Sequence, residues 1–177
     1  MDDLVLEEFD NILSFSKELD NSIANNISNI VYSSIISAQK KEPVYSFEQL
    51  DKLKSLNSPE SVMKLFSNRY SLVSKFKGNI CGVGSLKEYS EGNSSDYELM
   101  MVYVDSDFKG LGLGKKIIEG LEKKVISLDG ARLFAESALF PSTRAFYESR
   151  GFRLHKKIKK QFEDRIILAP LYVKEFR

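Results

Sequence analysis

The sequence predicts a mixed α/β domain, and three observations predict it. The first third carries apolar residues at three-to-four spacing between polar ones, the period of amphipathic helices. From about Tyr70 the pattern changes to short β-rich runs separated by turn residues. A glycine-rich segment then opens one long amphipathic helix, and a strand, a short helix and two further strands close the chain. At 177 residues the chain fits one domain, large enough to bury a core without covalent or metal staples. We divide it into a mainly helical region over 1–68 and a sheet-rich core over 69–177, with no repeat or linker between them.

The elements follow in order. Leu4–Leu6 fits a short first strand or a helix start. "NILSFSKEL" and "NISNIVYSSIISAQKK" read as helices with one polar face. "EPVYSFEQLDKLKSL" restarts the chain after Pro43, with Ser46 as cap and Gln49 completing a capping box. "NSPESVMKLFSN" is a short helix with Pro59 in its first turn. "RYSLVSKF", "NICGVGSLK" and "YELMMVYV" form an antiparallel meander from about Tyr70 to Val104, turning at Lys77-Gly78-Asn79 and over Ser90–Ser95. In the long helix Leu113, Ile117, Leu121, Val125 and Leu128 step down one face, while Glu119 and Lys123 stand at pairing distance on the other. Asp129-Gly130 ends it. "ARLFAES" is a strand, "PSTRAFYES" a short helix, and Gly151 stands where a left-handed cap belongs. "FRLHKKIKKQF" and "RIILAPLYVKEF" are two strands around a turn near Glu163-Asp164, and Pro170 implies an edge or a bulge in the second.

Composition removes several function classes. A net charge of +1 argues against bulk binding of nucleic acid or anionic membrane. No apolar run reaches the roughly 20 residues that span a bilayer. Cys81 is the single cysteine, which excludes a disulfide framework or a cysteine zinc cluster, and no metal site is expected. The acidic N-terminus lacks the order of a signal peptide, so a reducing cytoplasm is the expected compartment.

The most informative stretch is "VYVDSDFKGLGLGKKIIEGLEKK", Val102 to Lys124. Gly110, Gly112 and Gly114 bare the backbone at a helix start, where successive N–H groups and the helix dipole attract an anion. A kinase-type phosphate loop needs a hydroxyl at Lys116 and a glycine at Lys109, and has neither. A dinucleotide loop needs G-x-G-x-x-G after a parallel strand; here the spacing is G-x-G-x-G after a meander. A glycine turn with no ligand is the bland alternative.

"VYVDSDFKGLGLG" resembles the acetyl-CoA loop of the GNAT acyltransferases, with Lys109, Gly112 and Gly114 on the family's [QR]-x-x-G-x-[GA] positions and Lys replacing Gln/Arg. Downstream, "LFAESALFPSTRAFYESRGF" is similar to the family's strand, short helix and Y-x-x-x-G-F, with Tyr147, Gly151 and Phe152 on the pattern and the early helix Asn missing. "VYSFEQLDKL" is similar to a helix start of an uncharacterised bacterial GNAT subgroup. The resemblance runs from about Val44 to the C-terminus.

That resemblance implies a GNAT fold: a mixed, mostly antiparallel sheet with splayed fourth and fifth strands, flanked by helices. It implies acetyl-CoA as cosubstrate and acetyl transfer to a primary amine by direct attack in a ternary complex. A non-catalytic acyl-CoA-binding or interaction module is the alternative. The cofactor contacts it implies are Val102, Tyr103 and Val104 on the fourth strand, Lys109, Gly110, Leu111, Gly112, Leu113, Gly114 and Lys115 in the loop, and Arg144 and Tyr147 on the short helix; Lys116 is a further phosphate candidate. Tyr147 matches the tyrosine placed near the CoA sulfur, a general acid for the leaving thiolate against the alternative of a core aromatic. Glu98 matches a glutamate that serves as base through water, against the alternative of a solvated strand end. Glu136 on the next strand is a second carboxylate facing the cleft. His155 and Cys81 read as structural, and "KKIKK" at 156–160 as a wet strand face. The acceptor stays open among a small amine, an aminoglycoside-like molecule, a protein Lys or N-terminus, and a charged tRNA. No membrane and no other nucleic acid is expected as partner, and a homodimer is compatible with the sequence.

Overall fold

The computed structural model describes residues 4–9, 21–67, 69–162 and 165–176. One seven-stranded sheet runs through it in the order β1-β2-β3-β4-β5-β7-β6. β1 (Leu4–Phe9) is a strand throughout, an edge paired antiparallel with β2 (Tyr70–Phe76), which decides between the two expectations for Leu4–Leu6 and brings the N-terminal segment into the sheet. β2, β3 (Asn79–Glu88) and β4 (Asp96–Val104) form the expected meander. β5 (Arg132–Glu136) lies parallel to β4 and antiparallel to β7 (Arg165–Glu175), which pairs with β6 (Arg153–Phe162). The "NILSFSKEL" helix and the turn at Glu163-Asp164 fall outside the described residues.

α1 (Asn21–Lys41), α2 (Phe47–Leu56) and α3 (Pro59–Phe66) cover one face of the sheet. α2 begins with the full capping box, Ser46 accepting from the Gln49 N–H and Gln49 reaching back to the Ser46 N–H, so two orphan donors are satisfied. On this face Ile27, Val31 and Ile35 meet Val73, Val83 and Phe140. α4 (Leu113–Ser127) covers the opposite face, where Leu113, Ile117, Ile118, Leu121 and Val125 are buried. It lies so close to β3 that a Cβ on Gly84 would stand 2.5 Å from Ile117. Two details depart from the periodicity. Leu128 is 46% exposed, because the helix has ended there, and Glu119 pairs backward with Lys115 at 3.7 Å instead of with Lys123. α5 (Pro141–Glu148) starts with proline in its first turn and packs Tyr147 into the α4 side of the core.

The decisive irregularity is in β4. Val83 pairs with Tyr103 and Ser85 with Met100, so Met101 and Val102 together face Gly84. Met101 takes a positive φ of 53°, a conformation costly for a residue with a side chain. This bulge redirects the strand. Pairing of β4 with β5 runs from Asp96↔Arg132 to Leu99↔Ala135 and stops there. Past the bulge β4 stays paired with β3 only, which is the splay of fourth and fifth strands expected from the sequence. At the closed end Arg132 Nε donates to Asp96 Oδ1 at 2.9 Å and its Nη2 to Asp96 Oδ2, holding the two strands together below the fork.

Candidate active site

The fork encloses a cavity of about 530 Å³. Its walls come from the split strand (Leu99 and Met101–Val104), the loop after it, the start of α4, Glu136 on β5, α5 and one side of α1. Because β4 leaves β5 at Leu99, the β5-side edge of Met101–Val104 borders this cavity, so backbone donors and acceptors there are available to a ligand that lies along the strand.

The glycine loop forms one end. Asp105 accepts from the Asp107 N–H at 3.1 Å and caps the 3-10 turn Ser106–Phe108. Gly110 and Gly112 follow with φ of 86° and 78°, values a side-chain-bearing residue adopts only under strain. Gly112 is the N-cap of α4 and brings no capping side chain. The first helical hydrogen bond is Lys116 N–H to Gly112 O at 3.1 Å, so the N–H groups of Leu113, Gly114 and Lys115 have no partner within the helix. A Cβ on Gly110 or Gly112 would meet no protein atom within 4 Å, whereas one on Gly114 would stand 3.2 Å from the Phe146 ring. The first two glycines therefore leave an open cradle at a positive helix end, and the third makes room for α5.

The lysines are less free than their charge implies. Lys109 Nζ donates to Ser34 O of α1 at 3.4 Å. Burial, with Lys41 nearby, pushes its pKa down against the opposing pull of Asp105. Lys115 lines the cavity next to its Glu119 partner.

Tyr147 lines the cavity from the α5 side. Its ring is edge-on to Phe146 at 5.5 Å and Phe152 at 5.4 Å, and stacked with Tyr172 at 5.9 Å. Burial holds its hydroxyl pKa well above the ordinary value, so the phenol keeps its proton at neutral pH. Tyr103, across the cavity on β4, is pushed up to about 12 by burial.

A family model described as "Acetyltransferase (GNAT) domain" matches residues 41–174, most of the chain and every element of the fork. The chain belongs to the GNAT acetyltransferase family. The GNAT fold also appears in solved structures. A GCN5-related N-acetyltransferase from Rhodopseudomonas palustris superposes with a TM-score of 0.74 at 17% identity, covering 97% of this chain and 95% of that one. The PaiA N-acetyltransferase from Thermoplasma acidophilum, determined in complex with coenzyme A, gives 0.73 at 13% identity over 97% and 99%. An IAA acetyltransferase from Bacillus cereus gives 0.62 at 14% identity over 98% and 99%. Comparison with curated protein sequences gives no significant match.

Within this GNAT chain the structure brings most of the sequence-predicted contacts to one place. Val102, Tyr103, Val104, Lys109, Gly110, Gly112, Leu113, Gly114, Lys115 and Tyr147 all line the cavity. Leu111 is 60% exposed outside it, and Arg144 is turned to Glu148, one helical turn on, at 2.9 Å. Lys116 is exposed beside the loop without lining the cavity. Glu98 does not reach the cavity either. It is buried at 7% exposure, ion-paired with Lys87 at 2.9 Å and close to Arg69. It belongs to the paired part of β4, below the fork. Glu136 does line the cavity, as the first β5 residue past the last rung with β4. Cys81 is buried and donates its thiol to Ser74 O at 3.3 Å; burial pushes that thiol up. His155 lies exposed on β6, edge-on to Phe134 at 5.6 Å. Among the described residues no cluster of three or more His, Cys, Asp or Glu could hold a metal, and no helix is long and apolar enough to cross a membrane.

Several cavity residues escaped the sequence reading, among them Ser34, Ile35, Met101 and Arg150. Arg150 lines the cavity, stacks its guanidinium 3.7 Å over the Phe146 ring and donates to Phe146 O and to Ser149 Oγ, both at 2.7 Å. Its Nε is buried with no hydrogen-bond partner. In sequence it is an ordinary charge before Gly151; only the packing of α5 turns it inward.

Proposed function

We propose that this chain is an N-acetyltransferase that takes the acetyl group of acetyl-CoA and passes it to a primary amine by direct attack in a ternary complex. One observation carries the reading: a single cavity connects the open N-terminus of α4, the unpaired edge of β4 and the buried phenol of Tyr147. Its residues fit the cosubstrate. The bare cradle at Gly110 and Gly112 suits a pyrophosphate, with the N–H groups of Leu113, Gly114 and Lys115 as donors and Lys109 and Lys115 adding charge. The fork admits an extended arm alongside Met101–Val104. When bound, acetyl-CoA supplies the activated thioester carbonyl.

The amine nitrogen bonds to the carbonyl carbon, the carbon–sulfur bond breaks, the nitrogen gives up a proton, and the sulfur takes one up. The main chain of Val102 and Val104 is our candidate for stabilising charge on the carbonyl oxygen. Tyr147 donates a proton to the departing sulfur; its raised pKa keeps it in the donor form at working pH. On the acceptor side Glu136 is the carboxylate that faces the cavity. Glu98, held by Lys87 below the fork, acts only through intervening water if it acts as the base.

Calorimetry with CoA, ATP and NAD, followed by thiol release from acetyl-CoA with an amine panel, tests the reading. CoA binding with amine-stimulated release, reduced in Tyr147→Phe, is the expected result. Binding of ATP or NAD without CoA would overturn it. Tight CoA binding without turnover across the panel would leave a binding module.

A further inference from the structure

Glu136 and Lys160 lie far apart in sequence and on strands that are not neighbours in the sheet, yet Lys160 Nζ stands 2.7 Å from Glu136 Oε2. The pair is half open: the two side chains are 46% and 31% exposed, Lys160 first. Two features of the fold bring them together. Glu136 is the first β5 residue beyond the rung at Leu99↔Ala135. Leu133 and Ala135 pack toward α4, so by strand alternation Glu136 emerges on the opposite face, the side of α1. The β6–β7 hairpin runs on past β5, since β5 pairs with β7 only from Leu171 onward, and Lys160 sits on that overhang opposite Ile167. Glu136 shares its cavity wall with Ile35, Met101, Ala138 and Phe140, and Tyr103 is close enough to feel the Glu136 charge; Lys160 meets that wall only through Glu136.

We infer that this Glu136–Lys160 pair reads the acceptor, and that the acceptor is an amine with a carboxylate on the same short backbone and an apolar side chain, the α-amino acid class. The inference rests on the transferase reading above. A carboxylate alone would accept any ammonium. An amine lacking an acid must displace Lys160 from Glu136 and leave that lysine with only Glu91, which already pairs with Lys156, as a counter-charge. A zwitterion inserts between the two: its ammonium meets Glu136, its carboxylate meets Lys160, and both side chains stay paired. The apolar wall then takes the side chain. Glu136 also holds the proton that the nitrogen loses on becoming nucleophilic, and Tyr147 on the other side of the fork serves the sulfur.

The test measures kcat/KM with saturating acetyl-CoA for L-leucine, L-methionine and L-phenylalanine against their carboxamides. The carboxamides hold more neutral amine at a given pH, so a preference for the acids cannot come from amine basicity. The wild-type chain is expected to prefer the acids by about tenfold or more, the size of one charge-assisted contact. Lys160→Gln, at an exposed position, is expected to bring that ratio near one by raising KM for the acids alone. Glu136→Gln is expected to lower kcat/KM for acids and carboxamides together, with CoA affinity by calorimetry unchanged in both variants. Carboxamides used as well as acids, a ratio insensitive to Lys160→Gln, or no turnover with any of the acids would overturn the inference. In those cases CoA binding and turnover of other amines would leave the transferase reading standing, whereas loss of CoA binding by the wild-type chain would bring down that reading first.

Discussion

Leu99 and Ala135 are the last paired residues between β4 and β5, and the cavity opens at this rung, with Leu99 in its wall and Met101–Val104 and Glu136 beyond. Below that rung the strands are clamped by Arg132 and Asp96; above it the bulge at Met101 turns β4 away. The fork is a product of two opposed devices, an ion pair on a buried carboxylate that closes one end and a strained backbone that opens the other.

The clamp leads to a prediction about acid. Asp96 has a side chain only 1% exposed, and its hydrogen bond from Arg132 holds its carboxyl below the usual range, helped by the N–H of Asn93. A lowered folded-state pKa means stability that is present above the unfolded value of about 4 and is lost as pH falls through the folded one. Asp96→Asn removes the charge-assisted pair and leaves half-exposed Arg132 with only the Glu175 charge nearby, and is expected to cost about 1–2 kcal/mol at neutral pH. Chemical denaturation from pH 7 down to about pH 3 checks both, because the variant loses the part of the acid sensitivity that Asp96 causes.

At the alkaline end the sign reverses. Burial raises the pKa of Tyr103 to about 12 and that of Tyr147 further. The unfolded chain releases these protons from about pH 10, whereas the folded chain keeps them, so stability falls as pH rises past that point. Thermal unfolding followed across the alkaline range should show the decline, and Tyr103→Phe should lessen it. A wild-type profile flat beyond pH 10 would contradict the burial of these phenols.

Tyr147→Phe keeps the ring that packs on Phe146, Phe152 and Tyr172 and removes only the hydroxyl. The fold and CoA affinity are expected to stay within about 0.5 kcal/mol of wild type, while kcat falls about a hundredfold if the phenol serves the sulfur. Single-turnover kinetics with acetyl-CoA and a working amine separate this from a packing effect, which would move Tm instead.

Gly112 has a φ of 78° and open space where a Cβ would go. Gly112→Ala therefore meets no steric wall and strains only the backbone, by about 1–2 kcal/mol, which the loop relieves by shifting. We expect CoA affinity to fall at least tenfold while Tm changes by a few degrees. Gly114→Ala makes a contrast, since its Cβ would press on the Phe146 ring at 3.2 Å. Unaltered CoA affinity in Gly112→Ala would undo the assignment of the cradle.

The two carboxylates are separable by kinetics. Glu98 is buried between Lys87 and Arg69, and Glu136 faces the cavity. Glu98→Gln should cost about 1–2 kcal/mol of stability by leaving buried positive charge unmatched, with KM for the amine little changed. Glu136→Gln should leave stability nearly untouched and raise KM for the amine. The reverse outcome would return the base to Glu98.

By itself the sequence determined what depends on neighbours along the chain. The capping box at Ser46 and Gln49, the proline starts at Pro59 and Pro141, the meander turns, and the glycines that free the start of α4 are short-range physics, visible as residue spacing. Motif order was enough for the family and for Tyr147 in the cavity. Tertiary structure alone decided the rest. "ELMMVYV" reads as a plain strand, and nothing in Met101 announces a left-handed backbone; the bulge arises where β4 must stay with β3 while leaving β5. Glu98 and Glu136 look alike as strand carboxylates, and only the point at which the strands part places one below the fork and the other inside it. Arg150 acquires its place from the packing of α5, and Lys160 from a hairpin that outruns its sheet. These are contacts between residues far apart in the chain, set by register and layer packing, and a local pattern carries no record of them.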